Sequence, residues 1–153
     1  MMRNDDTAPQ LNALDMSACT CANLRKAARV VTQAYDSALQ PVGLKATQLT
    51  VLATLANRGD MPVTRLAEAL VMDRTTLTRN LKPLERQGLV RIEQEADQRV
   101  RKVNLTAMGA RILKDAQPLW AQVQTQIHKK LGQDKWSSFL NDLSATITAV
   151  RDP

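Results

Sequence analysis

Aromatic side chains are scarce: one Tyr, one Phe and two Trp make up 3% of the 153 residues. All four, Tyr35, Trp120, Trp136 and Phe139, stand outside residues 45–106. Proteins that read single strands or RNA stack bases on such rings, so the central stretch is no base-stacking platform. Histidine occurs once, at His128, and cysteine twice, at Cys19 and Cys21. A zinc site needs about four N or S ligands at recognisable spacing, so neither a metal nor a cofactor is expected. The glycines, Gly43, Gly59, Gly88, Gly109 and Gly132, stand singly and form no phosphate-cradling loop. No nucleophile sits in a local catalytic signature, so an enzyme is not expected. No run approaches the ~20 apolar residues of a membrane span. The opening MMRNDDTAPQ is polar, without the apolar run of a signal peptide. A cytoplasmic protein with reduced thiols and no membrane partner is expected.

What is present is an ordinary globular composition, 44% hydrophobic and 24% charged, with a formal net charge of +6. Excess cation favours an anionic partner, and one stretch concentrates the bias. In DRTTLTRNLKPLERQG (73–88), Asp73 is a good helix N-cap and Gly88 suits the position after a helix end. Leu77, Leu81 and Leu84 recur at i, i+4 and i+7 and make one apolar stripe. At roughly 100° per residue, Thr75, Thr78, Arg79, Lys82 and Arg86 project on the opposite side. Ordinary solvated faces mix Glu with Lys, whereas this one has only Glu85 as an acid. Pro83 predicts a kink, or a break after Lys82.

Residues 1–16 read as a flexible arm. A long helix is expected from Ser17 to Leu39, closed by Pro41 and Gly43. Its stripe Cys21, Leu24, Ala28, Val31, Tyr35 and Ala38 steps 3, 4, 3, 4, 3, a heptad seam suited to helix packing. A second helix, about 45–57, starts near Thr47 and buries Leu49, Leu52, Ala53 and Leu55. Arg58-Gly59-Asp60 is a turn. Thr64 then caps a short helix carrying Leu66, Ala67 and Leu70, which leads into the Asp73 helix. Two short helices so joined have the form of a helix-turn-helix. Residues 89–94 and 99–105 alternate apolar and polar side chains and suit two strands around the turn Glu95-Ala96-Asp97-Gln98. Asp97 folds back on that turn, and Arg99, Arg101 and Lys102 leave the hairpin tip cationic. Thr106 caps a further helix, through Pro118 (a second expected kink) to Leu131, where Gly132 ends it. Asp134 starts the last helix, with Trp136, Phe139, Leu140, Leu143, Ile147 and Val150 as its seam.

The expected fold is therefore mainly α with a small β-hairpin wing. A winged helix-turn-helix lobe (45–106) is flanked by helical dimerisation regions (17–44 and 107–153). The order of parts and several strings resemble the MarR family of bacterial transcriptional regulators: YDSALQPVGLKATQLTVL (35–52), VTRLAEAL (63–70), MDRTTLTRNLKPLERQGLV (72–90) and DQRVRKVNLTAMG (97–109). The resemblance covers nearly the whole chain from about residue 17. It implies a homodimer with intertwined terminal helices that binds an inverted repeat, or palindromic operator, in double-stranded DNA. Arg74 to Arg86, Thr76 among them, would face the major groove. Asp97 and Arg99 match the family's wing acid and arginine, which reach the adjacent minor groove. Thr47 and Gln48 match positions that commonly touch phosphate. Arg79 and Thr78 are expected at base edges, with Lys82, Arg86, Thr47 and the wing's Arg99 and Arg101 on phosphates.

Most relatives of this pattern are repressors relieved by a small phenolic ligand or by an oxidant. The cleft between dimer helices and lobe makes Tyr35 and Trp120 candidate effector-pocket residues. The string CANLRKAAR (21–29) resembles the first helix of the organic-peroxide-sensing branch, whose reactive cysteine matches Cys21 and whose nearby tyrosine matches Tyr35. A further tyrosine of that branch is Ala46 here. Arg25 and the helix N-terminus both favour a thiolate at Cys21. Cys19 is the second candidate sensor, and two residues apart it points away from Cys21 on a helix. The alternative function is an architectural protein that coats DNA without sequence preference. It would spread its cations over the whole surface instead of gathering them on one helix and one hairpin.

Overall fold

The computed structural model describes residues 15–94, 96–97 and 99–151. The expected arm therefore lies outside the described residues except for Asp15 and Met16, and so do Glu95 and Gln98 of the hairpin turn. The elements run α1 (Thr20–Leu39), a 3-10 turn (Gln40–Val42), α2 (Ala46–Arg58), β1 (Met61–Pro62), α3 (Val63–Ala69), α4 (Arg74–Arg86), β2 (Val90–Gln94), β3 (Arg101–Leu105), α5 (Ala107–Leu131) and α6 (Gln133–Arg151). By internal contacts the chain divides within α1, into one unit ending at Ala34 and a second beginning at Tyr35.

In the first unit, α1 begins at Thr20 and not at Ser17. Asp15 holds Ser17 through its amide at 2.9 Å and its hydroxyl at 2.6 Å, so these residues form a turn ahead of the helix. In the second unit, a continuous core joins Leu39 and Leu44 to Leu52 and Leu55 of α2, Leu66 of α3, the α4 leucines, Val90, Val103 and Ala116 of α5. Val51 is buried where Ala53 was expected to be, and Ala53 is only half-buried. The sheet is antiparallel in the order β1-β3-β2, so a third strand joins the hairpin on its other edge. β1 passes directly into α3 through Pro62, at φ −57°. Thr64 is consequently not the cap of α3, because the helix has already started at Val63, and no side chain caps it.

α4 does not break after Lys82. It continues to Arg86, and the Pro83 carbonyl accepts the Gln87 N–H at 3.0 Å. Pro83 removes one backbone donor, but fully buried Leu81 and Leu84 on either side hold the last turn against the core. Likewise α5 runs unbroken past Pro118. At the far end, Gly132 has φ 81° and its N–H returns to His128 O, which closes α5 before α6 begins. Among the described residues no side chain of α6 is buried. Phe139, Leu140, Ile147 and Val150 are 44%, 41%, 47% and 76% exposed, an apolar seam that no other part of the described residues covers.

Candidate nucleic-acid interface

The outward face of α4 is built by its own N-cap. Asp73 Oδ1 accepts the Thr76 N–H at 2.8 Å, and Oδ2 accepts the Thr76 hydroxyl at 2.6 Å. The hydroxyl bond first, then the amide, hold the Asp73 carboxyl below its usual range. Thr76 thus has its donor hydrogen engaged in the cap. With Leu77, Leu81 and Leu84 turned into the core, Arg74, Thr75, Thr78, Arg79 and Lys82 line one shallow groove of about 350 Å³. Three cations and two hydroxyls converge there, one turn apart along the helix, and Arg86 stands exposed at its end. Such a surface suits a polyanion that also offers hydrogen-bonding edges.

The turn before α4 is a Schellman-type helix end. Val71 N–H returns to Glu68 O at 3.1 Å and Met72 N–H to Ala67 O at 2.9 Å. Val71 takes φ 54°, a conformation that suits glycine and strains a β-branched side chain. After α4, Gly88 at φ 69° lets the chain double back into β2. In the hairpin, Asp97 folds back as expected: its carboxylate accepts the Arg99 N–H at 3.1 Å and its carbonyl the Val100 N–H at 2.8 Å. Arg99 lies in that turn and not in the strand, while Arg101 opens β3. Both are exposed.

A protein-family model described as the MarR family matches residues 44–100. The transcriptional regulator HosA of Escherichia coli O127:H6 is 33% identical over 94 residues, which cover 61% of this chain and 70% of HosA. The crystal structure of the M. tuberculosis transcriptional regulator MosR in complex with DNA superposes with a TM-score of 0.77 at 39% identity, over 87% of this chain and 98% of that one. The chain belongs to the MarR family. Its relatives are transcriptional regulators and not enzymes, and the three-stranded sheet is the MarR winged-helix arrangement. The organic hydroperoxide resistance transcriptional regulator of Bacillus subtilis (strain 168) is also 33% identical, over 91 residues covering 59% of this chain and 62% of that protein.

The remaining candidates fall at three places on this MarR chain. At the start of α2, Thr47 is exposed, while the Gln48 side-chain oxygen accepts the Lys45 N–H at 2.8 Å. Asp36 supplies the missing cap by accepting the Ala46 N–H at 2.7 Å, with Lys45 as its ion partner at 3.5 Å. Between α2 and α5 lies an open groove of about 450 Å³, lined by Leu49, Ala53, Asn57, Leu113, Lys114 and Trp120 among others. Tyr35 does not line it. Its hydroxyl donates to Gln124 and its ring packs against the core, where burial raises its pKa above the ordinary value.

The cysteines are both free: Cys21 is exposed, and Cys19 is half-exposed just ahead of α1. Cys19 Sγ accepts the Ala22 N–H at 3.5 Å, so it occupies the N-cap position and is not inside the helix. Among the described residues no cluster of His, Cys, Asp or Glu could hold a metal ion, and no helix is long and apolar enough to cross a membrane. Two structural residues escaped the sequence pattern. Gly109 is one, since a Cβ there would meet Leu89 O at 2.1 Å. Asp60 is the other, as its carboxylate accepts the Leu105 N–H across 45 residues.

Proposed function

We propose that this MarR-family regulator works in the cytoplasm as a homodimer that binds an inverted repeat in double-stranded DNA, with α4 in the major groove and the hairpin against the adjacent minor groove. The observation that carries this is the α4 groove, where Arg74, Thr75, Thr78, Arg79 and Lys82 converge opposite a buried leucine face. Its supporting relative is MosR, whose crystal structure contains DNA. Arg79 and Thr78 take base edges, and Lys82, Arg86, Thr47, Arg99 and Arg101 take phosphates. The exposed seam of α6 supports the dimer, because soluble monomers rarely leave such a stripe open. A two-fold dimer spaces its reading helices by about one DNA turn, ~34 Å, or a multiple of it, hence the inverted repeat.

Binding represses transcription and is relieved by a small effector. The α2–α5 groove supports a small aromatic anion such as a phenolic acid, since it is mostly apolar with Lys114, Asn57 and Gln117 as polar groups. The similarity to the Bacillus subtilis organic hydroperoxide resistance regulator, together with exposed Cys21 near the start of α1, supports an oxidant as the second kind of effector. Binding of the full-length protein to a duplex recovered by selection, compared with bulk DNA at fixed salt, tests the function. A preference of about 10³-fold or more is expected of a specific regulator. Equal affinity for both would make it an architectural DNA-coating protein. Sedimentation at micromolar concentration tests the dimer, and a stable monomer would remove it.

A further inference from the structure

Val90 and Val103 fix the base of the hairpin in the core, but the backbone ladder along its β1 edge is short. Gly59, at φ 84°, ends α2 and turns the chain so that Asp60 comes beside the base of β3. β1 then pairs with β3 at only two positions, Met61 with Val103 and Pro62 with Lys102. Pro62 has no N–H to add to that ladder. β3 is the central strand, so its amides alternate between its two neighbours. The Leu105 amide turns toward the β1 side, beyond the point where β1 pairs. There Asp60 Oδ1 accepts it at 3.0 Å, and a side chain takes the place of a further strand residue. Next along the chain, the Thr106 hydroxyl donates to Gly88 O at 2.6 Å, the carbonyl of the turn that follows α4. The base of β3 is thus pinned at two points, one just before α3 and one just behind α4. Asp60 is exposed and takes no part in the buried core.

We propose that Asp60 is a positioning residue for DNA binding. By holding the Leu105 N–H, it sets the angle at which the hairpin carries Arg99 and Arg101 relative to α4, which presupposes the hairpin–DNA contact proposed above. Without the bond, the β1 edge loosens and the hairpin beyond buried Val90 and Val103 tilts, so that the two arginines leave their register with the phosphates while α4 still engages. Charge makes the sign of the effect informative. Removing a carboxylate near DNA tightens binding if electrostatics alone act, whereas loss of positioning weakens it.

The experiment uses the full-length protein and the duplex recovered by selection, with affinity measured over a series of salt concentrations and thermal melting in parallel. The variants are Asp60→Ala, Asp60→Asn, Arg99→Ala with Arg101→Ala, and Asp60→Ala added to that arginine pair. Asp60→Asn removes the same charge as Asp60→Ala but keeps an oxygen that can accept the Leu105 N–H. Asp60→Ala is expected to weaken binding by about three- to tenfold and to lower the slope of log K against log salt by up to roughly two phosphate contacts. Asp60→Asn should stay within about twofold of wild type, and Asp60→Ala should add nothing once both arginines are gone. If Asp60→Ala does not fold, Asp60→Glu replaces it: the acceptor is displaced by one methylene at constant charge, and the same arginine-dependent loss is expected. An unchanged affinity and salt slope, or an equal loss with and without the arginines, overturns the proposal. If the arginine pair alone leaves the salt slope at the wild-type value, the hairpin is not a DNA contact. That outcome removes the contact itself, whatever Asp60 does.

Discussion

Replacing Gly109 by Ala opposes two ordinary effects, and the structure decides the sign. Gly109 lies in the first turn of α5, where alanine improves helix propensity by about 1 kcal/mol. A Cβ there, however, would stand 2.1 Å from Leu89 O and 2.8 Å from Leu105 Cδ1, where 3.4–4 Å is ordinary contact. The leucine methyl can rotate away, but the carbonyl cannot. Leu89 O already accepts the Thr106 N–H at 3.2 Å, and the Thr106 hydroxyl, which donates to Gly88 O at 2.6 Å, accepts the Gly109 N–H at 3.0 Å. Moving α5 clear of Leu89 by more than 1 Å breaks this set, at about 1 kcal/mol per bond, and opens packing around Leu105. The net expectation is destabilisation by about 2–4 kcal/mol, a fall in Tm of roughly 5–15 °C for a chain of this size. Urea and thermal melts followed by circular dichroism measure it. An alanine variant that melts at or above wild type would refute the close approach of α5 to Leu89.

Val71→Gly should act the other way. Relief of the left-handed strain, about 1–2 kcal/mol, exceeds the extra freedom glycine gives the unfolded chain, so a gain of about 0.5–1 kcal/mol is expected in the urea midpoint, and a loss would mean that Val71 is not strained. Acid stability should depend on Asp73, whose carboxyl is held below its ordinary value near 3.8 by the Thr76 hydroxyl and amide. A depressed pKa adds stability that is present above the unfolded value and lost as pH falls through the folded one. Wild type should therefore lose more stability than Asp73→Asn on going from about pH 6 to about pH 3, and parallel losses would dismiss the cap as the cause. Peroxide-driven release from DNA should be abolished by Cys21→Ser if Cys21 is the sensor. Equal sensitivity in the two proteins would return the effector role to a ligand in the α2–α5 groove.

Local chemistry was legible in the sequence where one element carried it whole. The α4 leucine stripe, the Asp73 and Thr106 caps, the Asp97 turn and the glycine after α5 all appear where spacing and capping preference put them. What escaped depends on partners far along the chain. β1 exists only because Val103 and Lys102 come alongside Met61 and Pro62, and neither residue pattern around Pro62 announces a strand. The cap of α2 comes from Asp36 on the preceding helix, and Thr64 loses its expected role because that same strand runs straight into α3. Pro83 reads as a break locally, yet burial of Leu81 and Leu84 outweighs one lost backbone bond. The cationic groove of α4 was readable from spacing alone, whereas the hydrogen bond from Tyr35 to Gln124 joins residues far apart in the chain and has no sequence signal.

Base readout by α4 is tested most directly with Arg79→Ala, titrated at one fixed salt concentration against the selected duplex and every single-base-pair variant of one half-site. If Arg79 reads a base edge, the variant loses about 1–3 kcal/mol on the preferred sequence and becomes indifferent to one particular base pair, while keeping its discrimination at the others. A loss of equal size on every duplex, with the pattern of preference unchanged, would contradict it and leave the α4 cations as phosphate anchors.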